Sequence, residues 1–124
     1  MDAVVYTASD SEFDTLAAIL LEENFAAARD PLDEHGHYEY AYDIAVVALE
    51  GARGMEIVRN WAERFRQTRI IWITGDPYFA GMAMEQRVHD FITRPYTPDR
   101  FRDAVRRARP MCSDTRLWSF DQTK

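Results

Sequence analysis

Residues 43–49 read DIAVVAL, six apolar residues in a row after an aspartate. A strand with one face in water alternates apolar and polar residues. An unbroken apolar run has both faces covered, as in a parallel sheet held between two layers of helices. Two runs of similar character flank it in sequence, AVVYTA at 3–8 and RIIWIT at 69–74. FAAAR at 25–29 is a weaker strand, and HDFIT at 89–93 is the last one.

Helical patterns fill the gaps. Ser9 with Glu12 matches a capping box, and Phe13, Leu16, Ala17 and Leu20 then form an apolar stripe that runs to about Glu23. EGARG at 50–54 reads as a loop ahead of a helix over about 53–66, with Val58, Trp61, Ala62 and Phe65 on one side. GDP at 75–77 turns the chain into a helix over about 77–87. Thr97 caps a final helix with Pro98 at its first position, where a missing N–H costs nothing. Phe101, Ala104, Val105 and Ala108 give that helix a core face, and Pro110 ends it. The acidic, aromatic stretch 30–42 reads either as a short helix or as an irregular loop. The tail 111–124 has no period but carries Leu117, Trp118 and Phe120.

Strands alternating with helices predict an α/β domain with right-handed crossovers and helices on both faces of a parallel sheet. In such sheets the working end lies beyond the carboxyl ends of the strands. That singles out Thr7–Asp10, Ala48–Gly51, Thr74–Asp76 and Arg94–Pro95.

The 124 residues fit one domain, expected over 1–110, with 111–124 as a C-terminal tail. A net charge of −6 argues against general binding to a nucleic-acid backbone. Five arginines crowd residues 100–109, and a solvated helix face is the simplest account of them. One cysteine, Cys112, excludes an intrachain disulfide and fits a reducing compartment. No apolar run approaches membrane-spanning length, and MDAVVYTASD lacks the basic start of a signal peptide, so a cytoplasmic location is expected. Other motifs are weak. GARG at 51–54 lacks the lysine and hydroxyl of a phosphate-binding loop. His35 and His37 read as surface loop rather than a metal site, His89 as structural, and Cys112 has no local histidine partner.

The chain resembles the receiver domain of two-component response regulators, the CheY-like family, over about residues 3–109. The likeness rests on YDIAVVAL at 42–49, IIWITG at 70–75 and HDFITRPYTPDRFRDAVRRA at 89–108. It implies a three-layer α/β/α flavodoxin-like sandwich with a five-stranded parallel sheet in the order 2-1-3-4-5. In that family an aspartate at the end of the third strand accepts a phosphoryl group, two acids after the first strand hold Mg²⁺, and a hydroxyl and a lysine contact the phosphoryl oxygens. Such chemistry needs clustered carboxylates for a hard dication and cations to neutralise the transferred group. Carried onto this chain, the acceptor falls on Ala48 and the acidic pair on Ala8 and Ser9, with Asp10 one place beyond. The hydroxyl falls on Thr74, the lysine on Arg94 ahead of the retained Pro95, and the switch aromatic on Phe91. The family likeness also implies a cis peptide bond before Pro95.

The resemblance therefore implies a pseudo-receiver with a degenerate phosphorylation pocket, no catalytic residue, no metal and no cofactor. It would act by phosphorylation-independent contact with a protein partner: a histidine kinase, another regulator or an output protein. The expected contact face is 77–109, a possible homodimer surface, with Tyr78, Phe79, Met82 and the arginines at 100, 102, 106 and 107. No direct nucleic-acid or membrane contact is expected. Arg94 is read as pairing with Asp10, Glu50 or Asp76. The alternative reading is residual phosphoryl or anion sensing through Thr74 and Arg94, with Glu50 as a displaced acidic acceptor, or three carboxylates, Asp10, Glu50 and Asp76, weakly holding a divalent ion.

Overall fold

The computed structural model describes residues 1–32 and 41–109. His35, His37, most of the stretch 30–42, Cys112 and the tail with Leu117, Trp118 and Phe120 lie outside the described residues. Five strands alternate with four helices: β1 Asp2–Thr7, α1 Asp10–Glu22, β2 Ala26–Arg29, β3 Ile44–Ala48, α2 Gly51–Arg64, β4 Arg69–Thr74, a 3₁₀ turn Pro77–Phe79, α3 Ala80–Glu85, β5 Asp90–Thr93 and α4 Pro98–Ala108. All neighbouring strands are parallel, and their order is β2-β1-β3-β4-β5. This is the flavodoxin-like sheet order expected above.

Alternation within the apolar runs builds two cores. Ala3 and Val5, Ile44 and Val46, and Ile71 and Ile73 pack with α1 and α4 on one face. Val4 and Tyr6, Ala45 and Val47, and Ile70 and Trp72 pack with α2 and Ala83 of α3 on the other. Each central strand thus buries both faces, which is why DIAVVAL carries no polar alternation. A buried polar tie crosses the second core. The Trp61 Nε1–H donates to the Tyr6 hydroxyl at 2.9 Å, so neither aromatic leaves its polar atom stranded.

Two expected boundaries change, for physical reasons. The glycines of EGARG read as a loop, but they lie in the first turn of α2. Gly51 takes φ +68, which favours glycine. A Cβ on Gly54 would sit 2.4 Å from the Leu49 carbonyl oxygen, so only glycine lets the helix start so close beneath the end of β3. The single helix expected over 77–87 is instead a 3₁₀ turn followed by the six-residue α3. Asp76 caps that turn by accepting the Tyr78 N–H at 2.9 Å, and Arg87 leaves helical conformation with φ +56.

Candidate functional site

The carboxyl ends of β1, β3, β4 and β5 converge, and the side chains there form one connected network. Arg94, just past β5, is its centre. Its Nη2 donates to Glu12 Oε1 at 2.7 Å, to Glu12 Oε2 at 2.9 Å and to the Ala48 carbonyl at 3.1 Å. Its Nη1 donates to Glu50 Oε2. One guanidinium thus bridges two carboxylates and covers the end of β3, reaching them through the separate nitrogens of its planar fork. The Arg94–Pro95 peptide bond is cis.

Glu12 is held from three sides. Besides Arg94, it accepts the Thr7 hydroxyl at 2.7 Å and the Tyr96 hydroxyl at 2.8 Å. Burial and the adjacent Glu12 carboxylate push the Tyr96 phenol well above its ordinary value, so it remains a donor to Glu12. Ser9 caps α1 by accepting the Glu12 N–H at 3.1 Å. The Glu12 side chain turns into the pocket, so the capping box read from sequence is half formed.

Glu50 occupies the N-cap position of α2 without capping it. Its carboxylate turns instead to the loop after β4. Oε1 accepts the Thr74 hydroxyl at 3.0 Å and the Gly75 N–H at 2.8 Å, and Oε2 also meets that N–H at 3.1 Å. A Cβ on Gly75 would lie 3.3 Å from Oε1, so the carboxylate rests against bare backbone. Burial raises the carboxyl's pKa, but the Gly75 and Thr74 hydrogen bonds and the Arg94 charge outweigh it, and Glu50 titrates below its ordinary value.

The remaining sequence-predicted residues divide. Ala48 ends β3 with its methyl in the core beside α1 and α4, and it offers no nucleophile. Ala8 and Ser9 border the pocket and carry no carboxylate. Asp10 is drawn away, accepting Arg29 Nη1 at 2.6 Å on the surface. Asp76 caps the 3₁₀ turn. The expected pairing of Arg94 therefore resolves to Glu50, with Glu12 as the second partner that sequence reasoning missed. Phe91 lies on the opposite core, edge-on to Trp72 with ring centroids 5.5 Å apart. Among the described residues no group of three or more His, Cys, Asp or Glu side chains is placed to hold a metal ion, so the trio of Asp10, Glu50 and Asp76 raised in the alternative reading is not assembled.

On the 77–109 face, several of the singled-out side chains have partners within the chain. Arg100 grips Asp90 through two bonds of 2.9 Å, and Arg107 reaches the same carboxylate at 2.7 Å. Arg102 pairs with Glu22 and Asp99, and Arg106 with Glu23. Phe79 and Met82 pack against the core. Tyr78 and Met84 are the large apolar side chains this face exposes among the described residues, at 85% and 81%.

This architecture has close counterparts among solved structures. HP1043, an orphan response regulator of H. pylori, superposes with a TM-score of 0.74 at 18% identity, over 88% of this chain and 97% of that one. The fold is that of a receiver domain. The non-phosphorylated HemR receiver domain of Leptospira biflexa gives 0.73 at 15% identity, over 89% and 98%. The BeF3-activated DrrB receiver domain gives 0.71 at 20%, over 86% and 95%. At these identities the likeness is one of fold. In sequence, the chain is 34% identical over 67 residues to the C4-dicarboxylate transport transcriptional regulatory protein DctD of Pseudomonas aeruginosa, a match spanning 52% of this chain and 14% of that protein. The chain thus covers a small part of that relative's length. No protein-family model matches it.

Proposed function

We propose that this chain is a receiver-like signalling domain that works in a two-component or phosphorelay setting through protein contact, without being phosphorylated. One observation carries the reading. The Arg94 guanidinium lies across the end of β3, bonded to Glu12, Glu50 and the carbonyl of Ala48, where the family resemblance puts the phosphoryl acceptor. Alanine supplies no nucleophile there. Among the described residues no cluster of three carboxylates is placed to take a divalent ion, and the two acids at hand are both bonded to Arg94. The receiver fold, a structural neighbour described as an orphan response regulator and the partial match to a transcriptional regulator all support the signalling setting.

The partner we propose is a protein, a kinase, regulator or output domain, or a second copy of the chain. The proposed contact face is the surface of the 3₁₀ turn and α3. Exposed aromatic and thioether side chains such as Tyr78 and Met84 suit an interface core better than arginines already matched to their own acids. A cytoplasmic setting belongs to the same reading, and no helix of the described residues is long and apolar enough to cross a membrane.

Intact mass spectrometry after incubation with acetyl phosphate and Mg²⁺ tests the reading. An unchanged mass is expected. A gain of one phosphoryl group would overturn it, and mapping to Glu50 would establish the displaced acceptor instead.

A further inference from the structure

The Thr74 hydroxyl, the Gly75 N–H and the Arg94 guanidinium point three donors at one spot, and the Glu50 carboxylate fills it. We infer that these groups form an oxyanion site whose resident ligand is the chain's own Glu50, so that the loop after β4 is permanently held in its anion-bound arrangement. This extends the proposed phosphorylation-independent reading to the same pocket.

Three features mark Glu50 as a ligand, although its side chain is 55% exposed. It sits at the start of α2, where an acidic side chain would ordinarily bond to its own helix's free N–H groups, yet it makes no such bond. Both its oxygens are used by groups from other elements, β4 with its loop and the residue after β5. Its receptor is also specific in shape, since the closest backbone belongs to Gly75, where a methyl group would crowd Oε1. A bare hydroxyl, a backbone N–H and a guanidinium would suit a carboxylate or a phosphate equally well.

The site connects to the exposed face through consecutive hydrogen bonds. Thr74 Oγ1 donates to Glu50 and accepts the Asp76 N–H at 3.3 Å. Asp76 Oδ1 in turn accepts the Tyr78 N–H at 2.9 Å, and the Asp76 carbonyl accepts that of Phe79 at 3.3 Å. The bonds that seat Glu50 therefore run without a gap into the 3₁₀ turn carrying Tyr78. With Glu50 in place, Thr74 has one hydroxyl orientation that serves both neighbours. Without it, the Gly75 N–H and Arg94 lose an acceptor, and so does the Thr74 hydroxyl that receives the Asp76 N–H.

Residue-resolved amide exchange of the labelled full chain tests this without any phosphoryl donor, so its failure is distinct from failure of the phosphorylation reading. In Glu50→Ala, the Gly75, Asp76 and Tyr78 amides are expected to exchange about tenfold faster, the effect of losing charge-assisted hydrogen bonds. Val5 and Val46 in the sheet keep their protection. Sodium acetate or inorganic phosphate then restores protection in Glu50→Ala, sodium chloride at equal ionic strength does not, and neither acetate nor phosphate alters the unsubstituted chain. Unchanged exchange in Glu50→Ala, equal rescue by chloride, or phosphate binding to the unsubstituted chain would overturn the inference. Should Glu50→Ala lose protection throughout the sheet, Glu50→Gln supplies the readout. It keeps an acceptor oxygen but no charge, so a smaller acceleration confined to the same amides is expected, and no acceleration contradicts the inference.

Discussion

Two arginine–carboxylate networks lie a few residues apart in this chain, and they are built in opposite ways. In the one that fastens α4, the acids are the hubs. Asp90 is 11% exposed and receives Arg100 and Arg107, and Glu23 is 8% exposed and receives Arg106 and Arg109. In the one at the carboxyl end of the sheet, the cation is the hub. Arg94 is 28% exposed and gathers Glu12 and Glu50. An acid hub lets several long side chains staple a helix to the sheet while their heads stay partly wet. A cation hub instead draws two carboxylates and a carbonyl together around one guanidinium. The first network is architecture. The second is an arrangement of charge at the place where a receiver fold does its chemistry.

The largest expected effect breaks the architectural network. Asp90→Ala leaves two arginines facing a lost acceptor at the edge of the core, and it should cost about 2–3 kcal/mol, as for hydrogen bonds to charged groups whose partner is removed. Urea denaturation measures this, and an unchanged midpoint would mean the arginines hold α4 by packing alone. Arg94→Ala comes next, at about 1–2 kcal/mol, because the two carboxylates it leaves are more open to water. Arg94→Lys should recover less than half of that loss, since one ammonium cannot reproduce the bridging fork. Full recovery by lysine would show that charge alone matters.

Much of the fold could be read from the sequence because the central strands are uniformly apolar. Burial on both faces leaves the pattern of β3 and β4 no other explanation. The glycines at 51 and 54 misled, because their roles, a positive φ and a close pass under Leu49, exist only once β3 and α2 are packed. Of the pocket, Thr74, Arg94 and Glu50 could be singled out from strand ends. Glu12 could not, because its residue type and spacing fit a cap. A usable signal existed all the same. Side chains on a helix lean toward its N-terminus, so an acid one turn into α1 overhangs the end of β1. That Asp90 and Glu23 lie beneath the α4 arginines was not legible either, because both acids come from other elements and meet them only in the folded chain.

Acid sharpens the comparison further. Asp90 is raised by burial but lowered more by Arg100 and Arg107, and Glu50 is lowered in the same balance by Gly75, Thr74 and Arg94. Both carboxyls titrate lower folded than unfolded. Their contribution to stability is complete above the ordinary carboxylate range and is lost as pH falls through the depressed values. Asp90→Asn should therefore flatten the acid limb of a stability–pH curve more than Glu50→Gln, and the reverse order would make the pocket the stronger electrostatic site. His89 acts at higher pH. Burial and the Arg69 charge lower it against the pull of Asp90, so stability should begin to fall as pH drops below its ordinary value of 6.5. His89→Gln should remove that early slope. The smallest effect belongs to Arg102, whose bonds to Glu22 and Asp99 lie on the surface. Arg102→Ala should leave the denaturation midpoint unchanged within error.

The most direct test of the central claim, that the chain's own side chains already fill the cation and anion positions of its pocket, is a titration of the labelled protein with Mg²⁺ and beryllium fluoride, followed at the Ala48, Glu50 and Gly75 amides. The account predicts no saturable shift at any of the three. A saturable shift requiring both Mg²⁺ and beryllium fluoride would show that the pocket opens to a metal and a phosphoryl mimic, and would contradict it.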